Sequence, residues 1–377
     1  MTIPKTAGRF DTPYGTFHLE RYPKRSDETL LAWCSADALL LEETHRRQAL
    51  GADILTVNDI HGALCVALQP KMLWTDSALS ALALKHNEGA NMRAQTPIIW
   101  STEKPHFRPA LVVLRIPKQR HLFEHQLSQL AEIVAQGSTV LAAGMDKHLS
   151  PHTADILERY IGPTQRRPGH RKARLFIALR DERHAQQHAE NSTYHCEALG
   201  TDLHSLPNVF SREKLDLGTR FLLEQLQTIA PAQKVIDLAC GNGIVGLVAL
   251  EQGLASQVTF CDESAMALQS ARLNANRIFP NMEKHLSFHL GDGLLQYQEK
   301  PAHLILCNPP FHLGHTVDEF AGRHLLRQCS RHLQPSGQLY LVANRHIDYR
   351  PSLRQTFDRV EKFASNAKFN ILVAQNF

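Results

Sequence analysis

The stretch ADILTVNDIHGALCVAL (52–68) aligns without gaps with KVIDLACGNGIVGLVAL (234–250). Each passes from a short apolar run, through a polar turn, into a second apolar run. A repeat of this length limits the chain to two copies of one supersecondary plan. The correspondence then continues in order. WTDSALSALALKHN (74–87) echoes FCDESAMALQSARLN (260–274), with Asp76 opposite Asp262. LVVLRIPK (111–118) stands where LILCNPPF (304–311) stands, and GSTVLAAGMDKH (137–148) mirrors GQLYLVANRH (337–346). Chance likeness between two unrelated domains is the alternative, and four correspondences in one order argue against it. Strands alternating with helical segments predict α/β domains with doubly wound, mostly parallel sheets. At 377 residues the chain is long enough for two such cores. The polar stretch RDERHAQQHAENSTYHCE (180–197) reads as the linker, which places the domains at 1–190 and 198–377.

The second copy carries the chemistry. Asp237 closes its first strand, and Gly241 and Gly243, flanking Asn242, let the backbone turn tightly and approach a ligand. The second strand ends in Asp262, followed by Glu263, where an acid accepts hydrogen bonds from a ribose diol. The third ends in Gly291-Asp292-Gly293, where an Asp can meet an adenine edge. The fourth runs into CNPPFH (307–312), and two prolines end its ladder. Four polar strand ends along one sheet edge form a ligand site in a doubly wound fold. From the first strand alone a dinucleotide oxidoreductase is equally open. The fourth strand argues against it, because hydride transfer has no use for Asn-Pro-Pro-Phe. An S-adenosylmethionine enzyme acting on an amino nitrogen does. Accepting the hydrogens of that poor nucleophile at the Asn308 side-chain oxygen and the Pro309 carbonyl pushes its lone pair toward the methyl group. Pro310 stiffens the turn, and Phe311 can stack on a planar base. Upstream, Phe210, Arg212, Asp216 and Gly218 introduce an amphipathic helix covering one side of the cofactor site. Helix 322–334, a strand at 337–346 and a final strand at 368–375 complete the domain.

The first copy keeps the apolar strands and loses this chemistry. Asp59 and His61 replace the loop glycines, and Arg115-Ile116-Pro117-Lys118 replaces Asn-Pro-Pro-Phe. The expectation is a second methyltransferase-like fold without catalysis. Up to residue 195 there are 24 Lys and Arg against 20 Asp and Glu, and 17 of each beyond, so the basic excess lies in the first half. Its densest run holds Arg166, Arg167, Arg171, Lys172 and Arg174; with Arg345 of the second domain these are the candidates for a phosphate-binding surface. The seven cysteines lack paired spacing and lie mostly in apolar runs, which predicts reduced thiols in a cytoplasmic protein. The histidines show no metal-ligand spacing, so no metal is expected. No apolar stretch approaches the ~20 residues of a membrane span, and the first residues lack a signal peptide's apolar core. Nothing in the pattern announces a large interface, so a monomer is the default.

VFSREKLDLGTRF, IDLACGNGIVGL, DESAMA, CNPPFH and VANRHIDY resemble the bacterial ribosomal RNA guanine-N2 methyltransferases with a duplicated domain. FHLERYPKRSDETLLAWCSADALLLEE (17–43) is similar specifically to their large-subunit, RlmG type; the small-subunit RsmC type shares the catalytic motifs. The resemblance covers nearly the whole chain and implies two tandem Rossmann-like class I methyltransferase domains, the first degenerate; its charge alone then makes RNA recognition the expectation for that first domain. It implies S-adenosylmethionine as cofactor and the N2 amino group of one guanine in 23S rRNA as target, flipped beside Phe311. It assigns Gly241, Asn242 and Gly243 to the methionine part, Asp262 to the ribose, Asp292 to the adenine, and Asn308, Pro309 and Phe311 to the guanine; Asp237, Glu263, Gly293 and Asn308 complete the candidate cofactor-binding set. Ala239 departs from the glycine common in the family. The rivals are the same chemistry on 16S rRNA, an Asn-Pro-Pro enzyme acting on adenine N6 or a glutamine side chain, and a non-catalytic RNA-binding assembly protein. The intact set in the second copy argues against the last.

Overall fold

Strands buried on both faces must be almost wholly apolar, and both halves of the chain supply them. Ile54–Val57 and Leu111–Arg115 are buried at every position, and in the second half so are Val235–Leu238 and Leu304–Cys307. The computed structural model describes residues 8–25, 28–49, 53–182, 191–310, 312–313, 316–317 and 319–377. The chain divides into two compact units, 1–190 and 191–377.

Each unit is built on a seven-stranded sheet. In the first the strands are Ile54–Val57, Met72–Thr75, Ile98–Trp100, Leu111–Arg115, Thr139–Met145, Thr164–Arg166 and Ala173–Leu179. In the second they are Ala232–Leu238, Ala255–Asp262, Leu286–Leu290, Ala302–Cys307, Leu333–Asn344, Arg359–Ser365 and Phe369–Gln375. Counted along the chain within its own sheet, the order is 3-2-1-4-5-7-6 in both units. The first five strands run parallel, and the last two pair antiparallel. Separate apolar clusters cover the two faces of each sheet. A β-hairpin precedes each sheet, Arg9–Thr12 with Gly15–His18 and Ser192–Cys196 with Thr201–Ser205.

The duplication reaches individual side chains. In the first unit Asn87 Nδ2 donates to the carbonyls of Glu20 (2.9 Å) and His61 (2.8 Å), while its Oδ1 accepts from Glu20 N at 2.9 Å. In the second, Asn274 Nδ2 donates to the carbonyls of His204 (2.8 Å) and Asn242 (3.1 Å), and its Oδ1 accepts from His204 N at 2.9 Å. Each Asn ties the hairpin region to the loop after the first strand. Ser77 and Ser264 likewise cap the helices after the second strands, accepting from Ser80 N and Ala267 N.

Two boundaries differ from expectation. The helix predicted at 322–334 occupies Glu319–Cys329 and tightens into a 3₁₀ turn at Ser330–His332. The fifth strand begins at Leu333, because the Pro335-Ser336-Gly337 kink is absorbed as a bulge opposite Ala302–Leu304 instead of ending the strand.

Candidate active site

Five parallel strands of one sheet bring their C-terminal ends to a common edge, and in the second unit the predicted polar groups stand there. Asp237 is 2% exposed, and its Oδ2 accepts from Gly246 N at 2.8 Å. Burial pushes its pKa up to about 8, against the pull of that N–H. Its carboxyl thus holds the loop onto the following helix, Ile244–Glu251. Gly243 caps this helix with left-handed backbone (φ +86°), and a Cβ there would come within 2.9 Å of Ala271 Cβ. Gly241 is also left-handed (φ +56°), but nothing lies within 4 Å of where its Cβ would be. Its N–H donates to Asp262 Oδ2 at 2.9 Å, and Asp262 Oδ1 accepts from Ser264 N at 3.0 Å. A carboxylate only accepts, so Asp262 is of the type to which a diol would donate. Asn242 Nδ2 is buried against Tyr194 Oη and Ser205 Oγ, both at 3.2 Å. What this residue offers a ligand is its backbone.

Asp292 is 2% exposed, with both carboxylate oxygens near Nε2 of His324, at 2.9 and 2.8 Å. Gly293 follows with φ +57°, and Glu263 is exposed beside Asp262. At the fourth strand end, Asn308 Nδ2 donates to Asp216 Oδ2 at 3.1 Å and to Thr219 Oγ1 at 2.8 Å. Its Oδ1 is buried and has no hydrogen-bond partner among the described residues. Pro309 is buried and Pro310 exposed, while Phe311 lies outside the described residues. Sequence reasoning missed His324, read only as one histidine of many. It took Asp216 as the start of a helix, and its position as N-cap of Leu217–Gln225 was the available signal.

The first unit provides an internal control, and strand pairing sets the register. Val57 pairs with Leu114, as Leu238 pairs with Cys307, so Arg115 stands at the position of Asn308. Asn58 and Ala239 follow with the same left-handed φ of +59°, and Gly62 (φ +80°) matches Gly243. The gapless sequence alignment is therefore one residue out at this loop: Ile60 opposes Gly241, His61 opposes Asn242, and Gly62 keeps the turn. The second strand is corrected in the same way. Matching the caps Ser77 and Ser264 places Thr75, not Asp76, at the position of Asp262. The backbone bonds Ser101 N to Thr75 O and Gly291 N to Asp262 O then place Thr102 at the position of Asp292. The two acids, the amide and the open glycine are all replaced, by Thr75, Thr102, Arg115 and Ile60. Arg115, 9% exposed, forms an ion pair with Asp37 at 3.0 Å. The devices that only shape the backbone persist. Asp59 Oδ2 accepts from Cys65 N at 2.8 Å, serving the N–H equivalent to that of Gly246.

The candidate RNA contacts separate by environment. Arg166, Arg171, Lys172 and Arg345 are exposed and Arg167 is half-buried. Arg174 is engaged by Asp146 at 3.0 Å. Among the described residues no cluster could hold a metal ion, and no helix is long and apolar enough to cross a membrane.

An open glycine loop, an acceptor carboxylate after the second strand and a buried acid after the third fit S-adenosylmethionine. With the 3-2-1-4-5-7-6 sheet they define a class I S-adenosylmethionine-dependent methyltransferase, carried here with a degenerate tandem copy. The RLMG N-terminal domain model matches residues 7–184, and the methyltransferase small domain model matches residues 200–373. The ribosomal RNA large subunit methyltransferase G of Alcanivorax borkumensis is 38% identical, over 96% of this chain and 95% of that protein. Its namesake in Yersinia enterocolitica is 35% identical, over 95% and 92%. The chain belongs to the ribosomal RNA large subunit methyltransferase G family. The fold is shared with the T. thermophilus 16S rRNA N2 G1207 methyltransferase (RsmC), solved with AdoMet and guanosine; the TM-score is 0.73 at 19% identity, over 98% of this chain and 97% of that one.

Proposed function

We propose that the second unit methylates the exocyclic N2 amino group of one guanine in 23S ribosomal RNA, with the base flipped against Asn308-Pro309-Pro310-Phe311. S-adenosylmethionine, when bound, supplies an electrophilic methyl group on a sulfonium. The backbone of Gly241, Asn242 and Gly243 would hold its methionine part, Asp262 and Glu263 its ribose, and Asp292 and Gly293 its adenine. Asp237 keeps the loop in shape. The observation that carries the reading is the buried Oδ1 of Asn308, which has no partner among the described residues. A buried acceptor without a donor costs about 1–3 kcal/mol, and a substrate amino group would satisfy it. Asn308 Oδ1 and the Pro309 carbonyl then accept the two amino hydrogens, aiming the nitrogen lone pair away from the ring, while Phe311 stacks on the base. The large-subunit target is supported by the names of the relatives. We assign RNA docking to the first unit on its basic excess, with Arg166, Arg167, Arg171 and Lys172 as contacts, joined by Arg345 near the site. Arg174 is in part neutralised by Asp146.

The test offers tritiated S-adenosylmethionine and the purified protein to naked 23S rRNA, naked 16S rRNA and both subunits from cells lacking the enzyme. RNA is then digested to nucleosides. Label in N2-methylguanosine from 23S rRNA or the large subunit is the expected result. Label from 16S rRNA alone would move the target and keep the chemistry. Label in adenosine would overturn the assigned nitrogen.

A further inference from the structure

The amide of Asn308 can be turned two ways, and only one of them accepts from an amino group. Its Nδ2 faces two acceptors on one helix terminus, Asp216 Oδ2 at 3.1 Å and Thr219 Oγ1 at 2.8 Å. Turned over, the amide would set Oδ1 against a carboxylate oxygen and aim two N–H donors at the incoming amino hydrogens. Asp216 is itself anchored, since Oδ2 also accepts from Thr219 N at 2.8 Å as the N-cap of Leu217–Gln225. The first unit shows the same terminus at work on another residue. The first turn of its helix Ser35–Arg46 supplies Asp37, which pairs with Arg115 at the position of Asn308. A carboxylate aimed at this strand end thus belongs to the fold, and it selects a donor there in both units.

We propose that Asp216 and Thr219 are positioning residues that lock Asn308 in the one amide orientation able to accept an amino group, and so make the site select amino over carbonyl edges. This rests on Asn308 being the acceptor for the substrate. Asp216→Asn tests the carboxylate, because the one oxygen that caps Thr219 N also faces Asn308, so asparagine keeps the cap and an acceptor there but loses the charge that opposes the turned amide. Thr219→Val removes the second acceptor and leaves the cap, and Thr219→Ser restores the hydroxyl.

The experiment measures kcat, the KM for S-adenosylmethionine, and calorimetric binding of that cofactor for Asp216→Asn, Thr219→Val, Thr219→Ser, Asn308→Ala and the double variant Asp216→Asn/Asn308→Ala. We expect Asp216→Asn to lose about ten- to a hundredfold in kcat, the share of one charge-assisted hydrogen bond, with cofactor KM and binding unchanged. Thr219→Val falls in the same sense and Thr219→Ser recovers. The double variant is no slower than Asn308→Ala alone. Full kcat in Asp216→Asn beside an inactive Asn308→Ala overturns the clamp and leaves the proposed site standing. A raised cofactor KM at constant kcat also overturns it, by assigning Asp216 to cofactor binding. Full activity in Asn308→Ala removes the proposed site and the clamp together.

Discussion

Asp237 and Asp59 reach the same backbone N–H from different positions in their strand–turn units, serving Gly246 and Cys65, each the third residue of its helix. That a copy stripped of its ligand groups keeps this bond identifies it as structural. Burial raises the pKa of Asp237 from its ordinary 3.8 to about 8, and that of Asp59 to about 6. A carboxyl raised in the folded state holds a proton that the unfolded chain has released, so stability falls as pH rises through that window. Asp237→Asn should remove the share lost between about pH 4 and 8, worth at most roughly 1.4 kcal/mol per pH unit. Urea unfolding across this range checks it: the variant should gain on the native protein as pH rises, and parallel profiles would refute the assignment.

Among the elements, the hairpin joining Thr164–Arg166 to Ala173–Leu179 carries two of the proposed RNA contacts. His170 and Ala173 exchange both backbone hydrogen bonds at 2.9 Å around Arg171 and Lys172, whose φ values are +46° and +60°. This is a two-residue turn of the type that favours Asn-Gly. Two cations in left-handed backbone cost about 1–2 kcal/mol each, and such strain at an exposed charged tip points to function. Replacing the pair, Arg171→Asn with Lys172→Gly, should therefore raise thermal stability while weakening 23S rRNA binding. The salt dependence should lose a slope of about 2, one for each phosphate contact. A stabilised variant with unchanged affinity and slope would show that the tip does not touch RNA.

At the scale of the molecule, two sheets of one order carry a single working set of ligand groups. Calorimetry should find one S-adenosylmethionine per chain, lost in Asp262→Ala. Thr75→Asp should not create a second site, because Ile60, 54% exposed, still stands where Gly241 leaves space, and the Arg115–Asp37 pair remains. Two bound molecules in the native protein would contradict the degenerate copy. The sequence by itself determined the duplication, the α/β layering and which strand ends carry Asp262, Asp292 and Asn308, because apolar runs punctuated by glycine, acid and proline dictate where buried strands stop. It did not determine the register between the copies. Strands buried on both faces have no polar alternation to mark a one-residue slip, so hydrogen-bond ladders and left-handed residues such as Asn58 and Ala239 had to decide it. Nor could it show that Asn242 serves the hairpin, or that Asp292 meets His324. The direction of the Asn308 amide was decided by tertiary structure alone, since its partner Asp216 lies 92 residues earlier in the chain and meets it only when helix and strand pack.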